Sequence, residues 1–354
     1  MAVEQKPTPP ATPPTPEGPA RGRARGGFAR QAVMRVLTLR EGSIIVVTLV
    51  TFAYFAITDS NYLTYSNWKV LLPYFCFLAI MAAGQVFVMT LGEIDLSVGA
   101  MYLVTPIFFW KLNSSAGIPL GLALVLSLLI AMAFGAVNGF FTAYVRIPSF
   151  VATLAMLFFL EGLSLVLTHS NQETTPGTAI AHTTSFAKVF GAGTYAEFIW
   201  ALVIVGILQV ALSLTRWGIY TVATGGNRLG ADEAGIQTRL VIVRNFVLCA
   251  GTAAFAGVLE AVRTSSITPD PSGANQFLLY SIAAVIIGGT LMTGGEGTVV
   301  GALLGALFLG VLQDGLVVKG VSANYEDLYI GIAIIIAMVL YVLVRRVRLG
   351  SGRA

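Results

Sequence analysis

The chain has 354 residues, of which 56% are hydrophobic and 11% are charged, and its mean hydropathy is +0.81. This composition excludes an ordinary water-soluble protein, because soluble cores do not need so much apolar surface. The pI of about 9.1 could indicate a nucleic-acid partner, but basic residues beside apolar segments more often set membrane orientation, so we expect a lipid bilayer and no nucleic acid as partner.

The chain begins with a tail, residues 1–40, that is rich in proline and arginine. Seven of the fourteen prolines fall within residues 1–27, where bulky apolar side chains are almost absent. Because a segment of this composition cannot form a packed core, we predict that the tail is disordered. It lacks the apolar run of a secretory signal, and we expect it to stay uncleaved in the cytoplasm.

Ten apolar segments follow within residues 41–346, and they predict an all-α integral membrane domain of about ten transmembrane helices. Several segments are short, because a straight helix needs about 20 residues to cross ~30 Å of hydrocarbon. The segments cover residues 43–58, 70–91, 94–110, 118–145, 149–168, 197–215, 241–262, 278–292, 298–316 and 328–344.

The distribution of Lys and Arg supports this count. With ten spans and a cytoplasmic N-terminus, sixteen of the 21 basic residues fall on the cytoplasmic side, some of them in a basic C-terminal tail, residues 347–354. An error of one span would invert the later loops and destroy this asymmetry. We therefore predict that both termini are cytoplasmic.

Two polar connections stand out between the apolar segments. Residues 169–196 form an external loop that is long enough to contact a partner outside the cell. Residues 216–240 form a cytoplasmic loop with Gly225 and Gly226 near its middle. The composition of this loop suits a short helix on the membrane surface, and a plain connecting loop fits it equally well.

A polar cluster interrupts the apolar pattern between the second and third segments. The stretch Gly92 to Ala100 reads GEIDLSVGA and carries two carboxylates, Glu93 and Asp95. Ser97 could bond backbone groups that are freed where a helix is interrupted inside a membrane. Two interpretations stay open: a polar turn beside a solute path, or an ordinary turn in which Asp95 caps the third helix.

Another charged residue, Glu161, lies well inside the fifth span. A charge near the bilayer centre costs roughly 2.5 to 3.5 kcal/mol on insertion scales, so Glu161 must face protein or water. It either contacts solute or pairs with a polar neighbour such as Asn138 in the fourth span.

Two sequence similarities within the chain suggest an internal repeat. Asn138-Gly139 and Asp314-Gly315 lie near the ends of spans that run in opposite directions, as an inverted repeat requires. The similarity of MTLGE at 89–93 to MTGGE at 292–296 implies a different alignment, so an inverted repeat is only one of two interpretations.

Several enzyme classes are excluded by the residues present. No glycine-rich stretch ends in Gly-Lys-Ser or Gly-Lys-Thr, so the usual phosphate-binding loop is absent from the sequence. The two histidines, His169 and His182, lie in the external loop, which leaves no imidazole within the spans for metal binding or proton relay. Cys76 and Cys249 are expected to be buried thiols. We predict no catalytic residue, no metal and no cofactor bound by this chain.

Four ordered motifs carry a resemblance to a known family. They are GEIDLSVGA, in which Glu93 stands at a position where the family has glycine; RIPSFVATL at 146–154; Gly225-Gly226-Asn227 followed by Ala234-Gly235-Ile236; and the glycine-rich run at 288–316. Together they resemble permease subunits of bacterial carbohydrate importers of the ATP-binding cassette (ABC) class, of the ribose, xylose and galactoside type. They are more distantly similar to those for branched-chain amino acids.

The resemblance implies a multi-pass permease of the bacterial cytoplasmic membrane that pairs with a second permease copy. It also implies an extracytoplasmic solute-binding protein and a separate ATPase subunit that binds ATP and Mg²⁺. Contact with the ATPase would be made by Gly225, Gly226, Asn227, Arg228, Ala234, Gly235 and Ile236. We assign the solute path to Glu93, Asp95, Ser97, Asn138 and Glu161.

Two other classes of function remain as alternatives. An ion-coupled secondary transporter would use Glu93, Asp95 and Glu161 as ion-coupling groups. An intramembrane enzyme would need a base and a metal set that the spans lack.

Overall fold

The computed structural model describes residues 41–173, 185–193 and 195–351. Within them the chain is helical without a regular strand, and one isolated antiparallel bridge joins Glu173 to Ile267. The predicted disordered tail and part of the external loop lie outside the described residues. The helices are α1 (Gly42–Thr58), α2 (Tyr65–Thr90), α3 (Val98–Ser114), α4 (Leu120–Phe140), α5 (Ser149–Thr168), α6 (Ala196–Leu214), α7 (Arg216–Gly226), α8 (Arg228–Glu233), α9 (Thr238–Thr264), α10 (Pro271–Ile287), α11 (Val299–Val318) and α12 (Ala323–Ser351).

Seven of the described helices are long and apolar enough to cross a membrane. They are α2, α4 with the π-helical turn that follows it, α5, α6, α9, α11 and α12. Helices α1 and α10 are apolar but shorter, with 17 residues each. Each of the ten apolar segments in the sequence overlaps one helix, although the boundaries differ.

The eighth segment is displaced most, since the sequence pattern places it at 278–292 and α10 covers Pro271–Ile287. Pro271 stands in the first turn of α10, and the Asp270 side chain accepts a hydrogen bond from the Ser272 N–H at 3.0 Å. Both features are typical of a helix start. Gly289 has a φ of 96°, which ends the helix before the glycine-rich run.

Helix α9 lies at the centre of the bundle, where it packs against α2, α3 and α4. A Cβ at Gly135 or Gly139 of α4 would press into the backbone of α9, so these small residues allow close packing of the two helices. Cys76 and Cys249 are buried free thiols, as predicted. Helices α2, α9 and α11 are mostly buried, whereas α4, α5, α6 and α12 expose many large apolar side chains, which suits contact with lipid.

The connections between helices lie at two opposite ends of the bundle. One end, the Gly225 end, holds the first turn (residues 91–97, between α2 and α3), the second turn (residues 288–298, between α10 and α11), and α7 with α8. The other end, the Asp270 end, holds the connection from α9 to α10, residues 265–270. The loop predicted at 216–240 therefore contains two short helices rather than a plain connection.

Candidate functional site

At the Gly225 end, the end of α7 packs directly on both turns. A Cβ at Gly225 would overlap the carbonyl oxygen of Thr90, the last residue of α2, and would lie 2.9 Å from the backbone nitrogen of Gly295. The Gly295 N–H donates a hydrogen bond to the Thr90 carbonyl at 2.9 Å. Only glycine fits at position 225, because any side chain would separate α7 from the two turns.

The two turns contain the similar sequences MTLGE and MTGGE. In both, a glycine adopts the left-handed backbone conformation that other residues disfavour, with φ 78° at Gly92 and φ 81° at Gly294. A Cβ at Gly294 would lie 2.8 Å from the backbone nitrogen of Gly92. The sequence similarity thus corresponds to two turns in contact with each other, and the inverted repeat stays a prediction.

Helix α7 is anchored to the bundle by one buried amide, Asn245 of α9. Its Oδ1 accepts a hydrogen bond from Trp217 Nε1 at 2.6 Å. Its Nδ2 donates to Thr221 Oγ1 at 3.1 Å and to the Phe87 carbonyl of α2 at 3.2 Å. Asn245 therefore joins α7, α9 and α2. The sequence analysis did not single out Asn245. A polar amide inside an apolar span could have indicated it, because such a group needs a hydrogen-bond partner, as was argued for Glu161.

Helix α8 begins at the residues predicted to contact an ATPase. The Asn227 side chain caps α8 by accepting a hydrogen bond from the Gly230 N–H at 3.0 Å. Arg228 Nη1 lies 3.7 Å from Glu93 Oε1 of the first turn. Ala234, Gly235 and Ile236 follow the end of α8, where Gly235 has a φ of 82° and open space around it.

A charged cleft of about 360 Å³ lies beside the pair formed by Glu93 and Arg228. Two further arginines, Arg146 and Arg239, and the carboxylate of Asp232 also line it. Three cations and two anions line this cleft, so it is suited to contact with a charged protein surface rather than with an apolar one.

Three of the predicted path residues form a single buried group that holds the first turn. The backbone N–H and Oγ of Ser97 donate hydrogen bonds to Asp95 Oδ1 at 2.8 and 2.6 Å. Asn138 Nδ2 of α4 donates to Ser97 Oγ at 2.9 Å. Asp95 is not the cap of α3, because Ser97 is the N-cap residue and Asp95 bonds its backbone. In the described structure Asp95 Oδ2 and Asn138 Oδ1 are buried without a hydrogen-bond partner.

Glu161 lies apart from this group. Its Oε1 accepts a hydrogen bond from Asn275 Nδ2 of α10 at 2.8 Å. Glu161 thus pairs with a polar neighbour, as one interpretation of the sequence held, but the neighbour is Asn275 and not Asn138, whose amide points to Ser97. A role of Glu93, Asp95, Ser97, Asn138 or Glu161 in contacting solute stays a prediction.

The described residues contain no group of three or more His, Cys, Asp and Glu side chains that could hold a metal ion. At the Gly225 end, two short helices, two glycine turns in close backbone contact and a charged cleft lie side by side.

Comparisons with known proteins identify what this arrangement is similar to. The family described as branched-chain amino acid transport system, permease component, matches residues 67–338. The xylose/arabinose import permease of Sulfolobus acidocaldarius is 30% identical over 319 residues, which cover 87% of this chain and 86% of that protein. The ribose import permease of Escherichia coli (strain K12) is 33% identical over 308 residues, which cover 85% of this chain and 94% of that protein.

A fructose import permease of Rhizobium meliloti is 29% identical over 313 residues, covering 86% of this chain and 85% of that protein. No solved structure has a significant match to this chain.

Proposed function

Because this chain belongs to the family of branched-chain amino acid transport system permease components, we propose that it is the membrane-spanning subunit of an ABC importer for a sugar or sugar-like solute. As a member of this family, the chain is a multi-pass membrane permease. Hydrolysis of ATP and binding of Mg²⁺ are assigned to a separate ATPase subunit.

The observation that carries this proposal is the packing of Gly225 on both turns. A partner that pushes on α7 and α8 moves the first and second turns, and with them α3 and α10. The reason is that Gly225 contacts both turns backbone to backbone, with no flexible side chain between them. The arginines and carboxylates of the charged cleft beside α8 can form ion pairs with charged side chains of the partner. An input site of this kind favours a permease driven by a separate ATPase over a transporter that works alone.

The proposed orientation places the Gly225 end in the cytoplasm and the Asp270 end outside. All ten helices that overlap the apolar segments then cross the bilayer, and both termini are cytoplasmic, in agreement with the positive charge on that side. A solute-binding protein would dock at the Asp270 end, and a second permease copy would complete the transporter. Solute-path and ATPase-contact roles of the predicted residues belong to the same proposal.

The proposed solute class draws on the relatives, whose printed names describe import of xylose or arabinose, ribose and fructose. The family description, in contrast, mentions branched-chain amino acids. An amino acid therefore remains the alternative solute, and the test below separates the two.

The proposal can be tested by measuring solute uptake into liposomes that contain the permease, its ATPase subunit and its binding protein. We expect uptake of labelled pentose or hexose that requires ATP and the ATPase subunit, and no uptake by the permease alone under a proton or sodium gradient. Gradient-driven uptake without the ATPase would indicate a secondary transporter. ATP-driven uptake of leucine but not of sugars would assign the permease to amino acids.

A further inference from the structure

A cavity of about 440 Å³ lies at the Asp270 end between α3, α9 and α10. Residues of the α9–α10 connection, Ser266 and Asp270 among them, form its rim. Its volume falls in the range that small-molecule sites usually have, about 300 to 1,000 Å³. The predicted path residues Glu93, Asp95, Ser97, Asn138 and Glu161 are not among its lining residues.

Close helix packing bounds the cavity on the side of the bundle interior. A Cβ at Gly257 of α9 would overlap the carbonyl oxygen of Tyr102, and one at Gly99 of α3 would overlap the carbonyl oxygen of Ala274. Helix α3 is therefore in backbone contact with both neighbours, and no gap leads from the cavity toward the first turn along these two contacts. The cavity is a pocket that opens at the Asp270 end.

Aromatic rings form one wall. The rings of Tyr102 and Phe277 both line the cavity, with centroids 5.4 Å apart and planes at 70°. Phe77 supports both from behind, with centroid distances of 5.6 Å to Tyr102 and 5.0 Å to Phe277. This packing fixes the orientation of the two lining rings. A fixed ring presents a flat apolar face to the C–H side of a solute.

Polar side chains, Glu260 and Asp270 among them, line part of the remaining wall, and the Glu260 carboxylate is paired with a cation. Arg263 donates two hydrogen bonds to the Glu260 carboxylate. Asp270 accepts from the Ser272 N–H and so satisfies the positive end of α10 that would otherwise attract an anion. No Lys or Arg is present among the described lining residues. A zwitterionic amino acid would leave its carboxylate unpaired here, which is costly in a desolvated pocket.

Uncharged hydroxyl groups fit these surroundings better. Carboxylate oxygens keep lone pairs that accept from O–H donors even when one ion pair is made. The amide of Gln276, which also lines the cavity, donates to Tyr280 Oη at 2.9 Å and to Asp327 Oδ1 at 3.0 Å, and its Oε1 can accept. We propose that this cavity is the site at which the permease first holds its solute, and that the solute is an uncharged polyhydroxylated molecule of the sugar class. The inference rests on the proposed import function.

The test uses the complete transporter in liposomes, with D-ribose, D-xylose, D-fructose and leucine as probes. Phe277→Ala removes the ring that faces the cavity, and Phe277→Tyr keeps it. Phe158→Ala is the matched control, since Phe158 is 63% exposed on α5 and does not line the cavity. We expect Phe277→Ala to lower sugar uptake by about tenfold or more, while Phe277→Tyr and Phe158→Ala stay within about twofold of the parent.

The outcomes separate this inference from the proposed function. If the parent imports none of these pentoses and hexoses with ATP, the proposed function itself fails. If the parent imports sugar and Phe277→Ala does so equally well, the cavity is not the solute site. Equal losses in the Ala and Tyr variants would also overturn the inference, because the loss would then follow from packing and not from the aromatic face. Import of leucine in preference to sugar would overturn the assignment of an uncharged solute.

Discussion

Glu93 Oε1 lies 3.7 Å from Arg228 Nη1, so a carboxylate of the first turn is paired with the guanidinium that begins α8. Permeases of the carbohydrate importer family have glycine at the position of Glu93. The extra charge in this chain therefore has a partner, Arg228, on the segment that we propose contacts the ATPase. Both side chains are partly exposed, at 20% and 43%. Such a pair contributes little to stability, typically below about 1 kcal/mol, so we expect its effect to be on coupling.

Reversing one charge of this pair should impair transport and reversing both should restore it. We expect Glu93→Arg to lower ATP-driven uptake by about fivefold, the equivalent of roughly 1 kcal/mol, because two cations then repel α8 from the first turn. The double variant Glu93→Arg with Arg228→Glu should recover most of the uptake. Uptake per transporter, measured with equal protein in each liposome sample, checks this; an unimproved double variant would contradict pairing as the cause.

Adjacent glycines in α7 should respond differently to the same substitution. A Cβ at Gly225 meets backbone atoms of Thr90 and Gly295, whereas the nearest atom to a Cβ at Gly226 is 3.8 Å away. We expect Gly225→Ala to abolish ATP-driven uptake and Gly226→Ala to retain at least about half of it. ATP hydrolysis by the assembled complex should be measured alongside. Equal effects at both positions would argue that close packing at Gly225 is not what transmits the movement.

Removing the amide that anchors α7 should destabilise the permease. Asn245→Leu leaves the buried N–H of Trp217 without an acceptor, which costs about 1 to 3 kcal/mol. We expect a lower thermal unfolding midpoint in detergent and faster hydrogen exchange in α7. Asn324→Leu, at an exposed position in the first turn of α12, is the control and should leave the midpoint unchanged. An unaltered midpoint in Asn245→Leu would show that the amide does not anchor α7.

Labelling of single cysteines should report the orientation of the two ends. The native thiols Cys76 and Cys249 are both fully buried and should give no background. We expect a membrane-impermeant maleimide to label Thr268→Cys in intact cells and Arg228→Cys only after the membrane is opened. The reverse pattern would place the Gly225 end outside and remove the proposed contact with a cytoplasmic ATPase.

The approximate positions of ten helices could be predicted because each coincides with an apolar run in the sequence, whereas the predicted count of ten spans is not confirmed, since seven described helices are long and apolar enough to cross a membrane. Helix ends could not be predicted, since the apolar pattern continues to residue 292, past the end of α10 at Ile287 and into the second turn. Its glycines at 289, 294 and 295 all have positive φ, and this backbone conformation keeps the second turn out of any helix. Hydropathy contains no information about backbone conformation.

The candidate site was only partly predictable for a similar reason. The residues of α7 and α8 were recognised because glycines and charges cluster locally in the sequence. Hydrogen bonds between residues far apart in the sequence produce no local sequence pattern. Glu161 and Asn275 are 114 positions apart, and Asn245 is 158 positions from Phe87. Residue types could show that Glu161 needs a partner, but only the folded structure, which brings Asn275 of α10 to 2.8 Å, determines which amide supplies it.

The two turns that touch Gly225 continue into the helices that flank the cavity at the Asp270 end: the first turn leads into α3, and α10 leads into the second turn. Both walls of the cavity are thus connected to the same contact at Gly225. In the proposed importer, one movement of α7 would therefore tilt both walls at the same time, with no second signal needed to synchronise them.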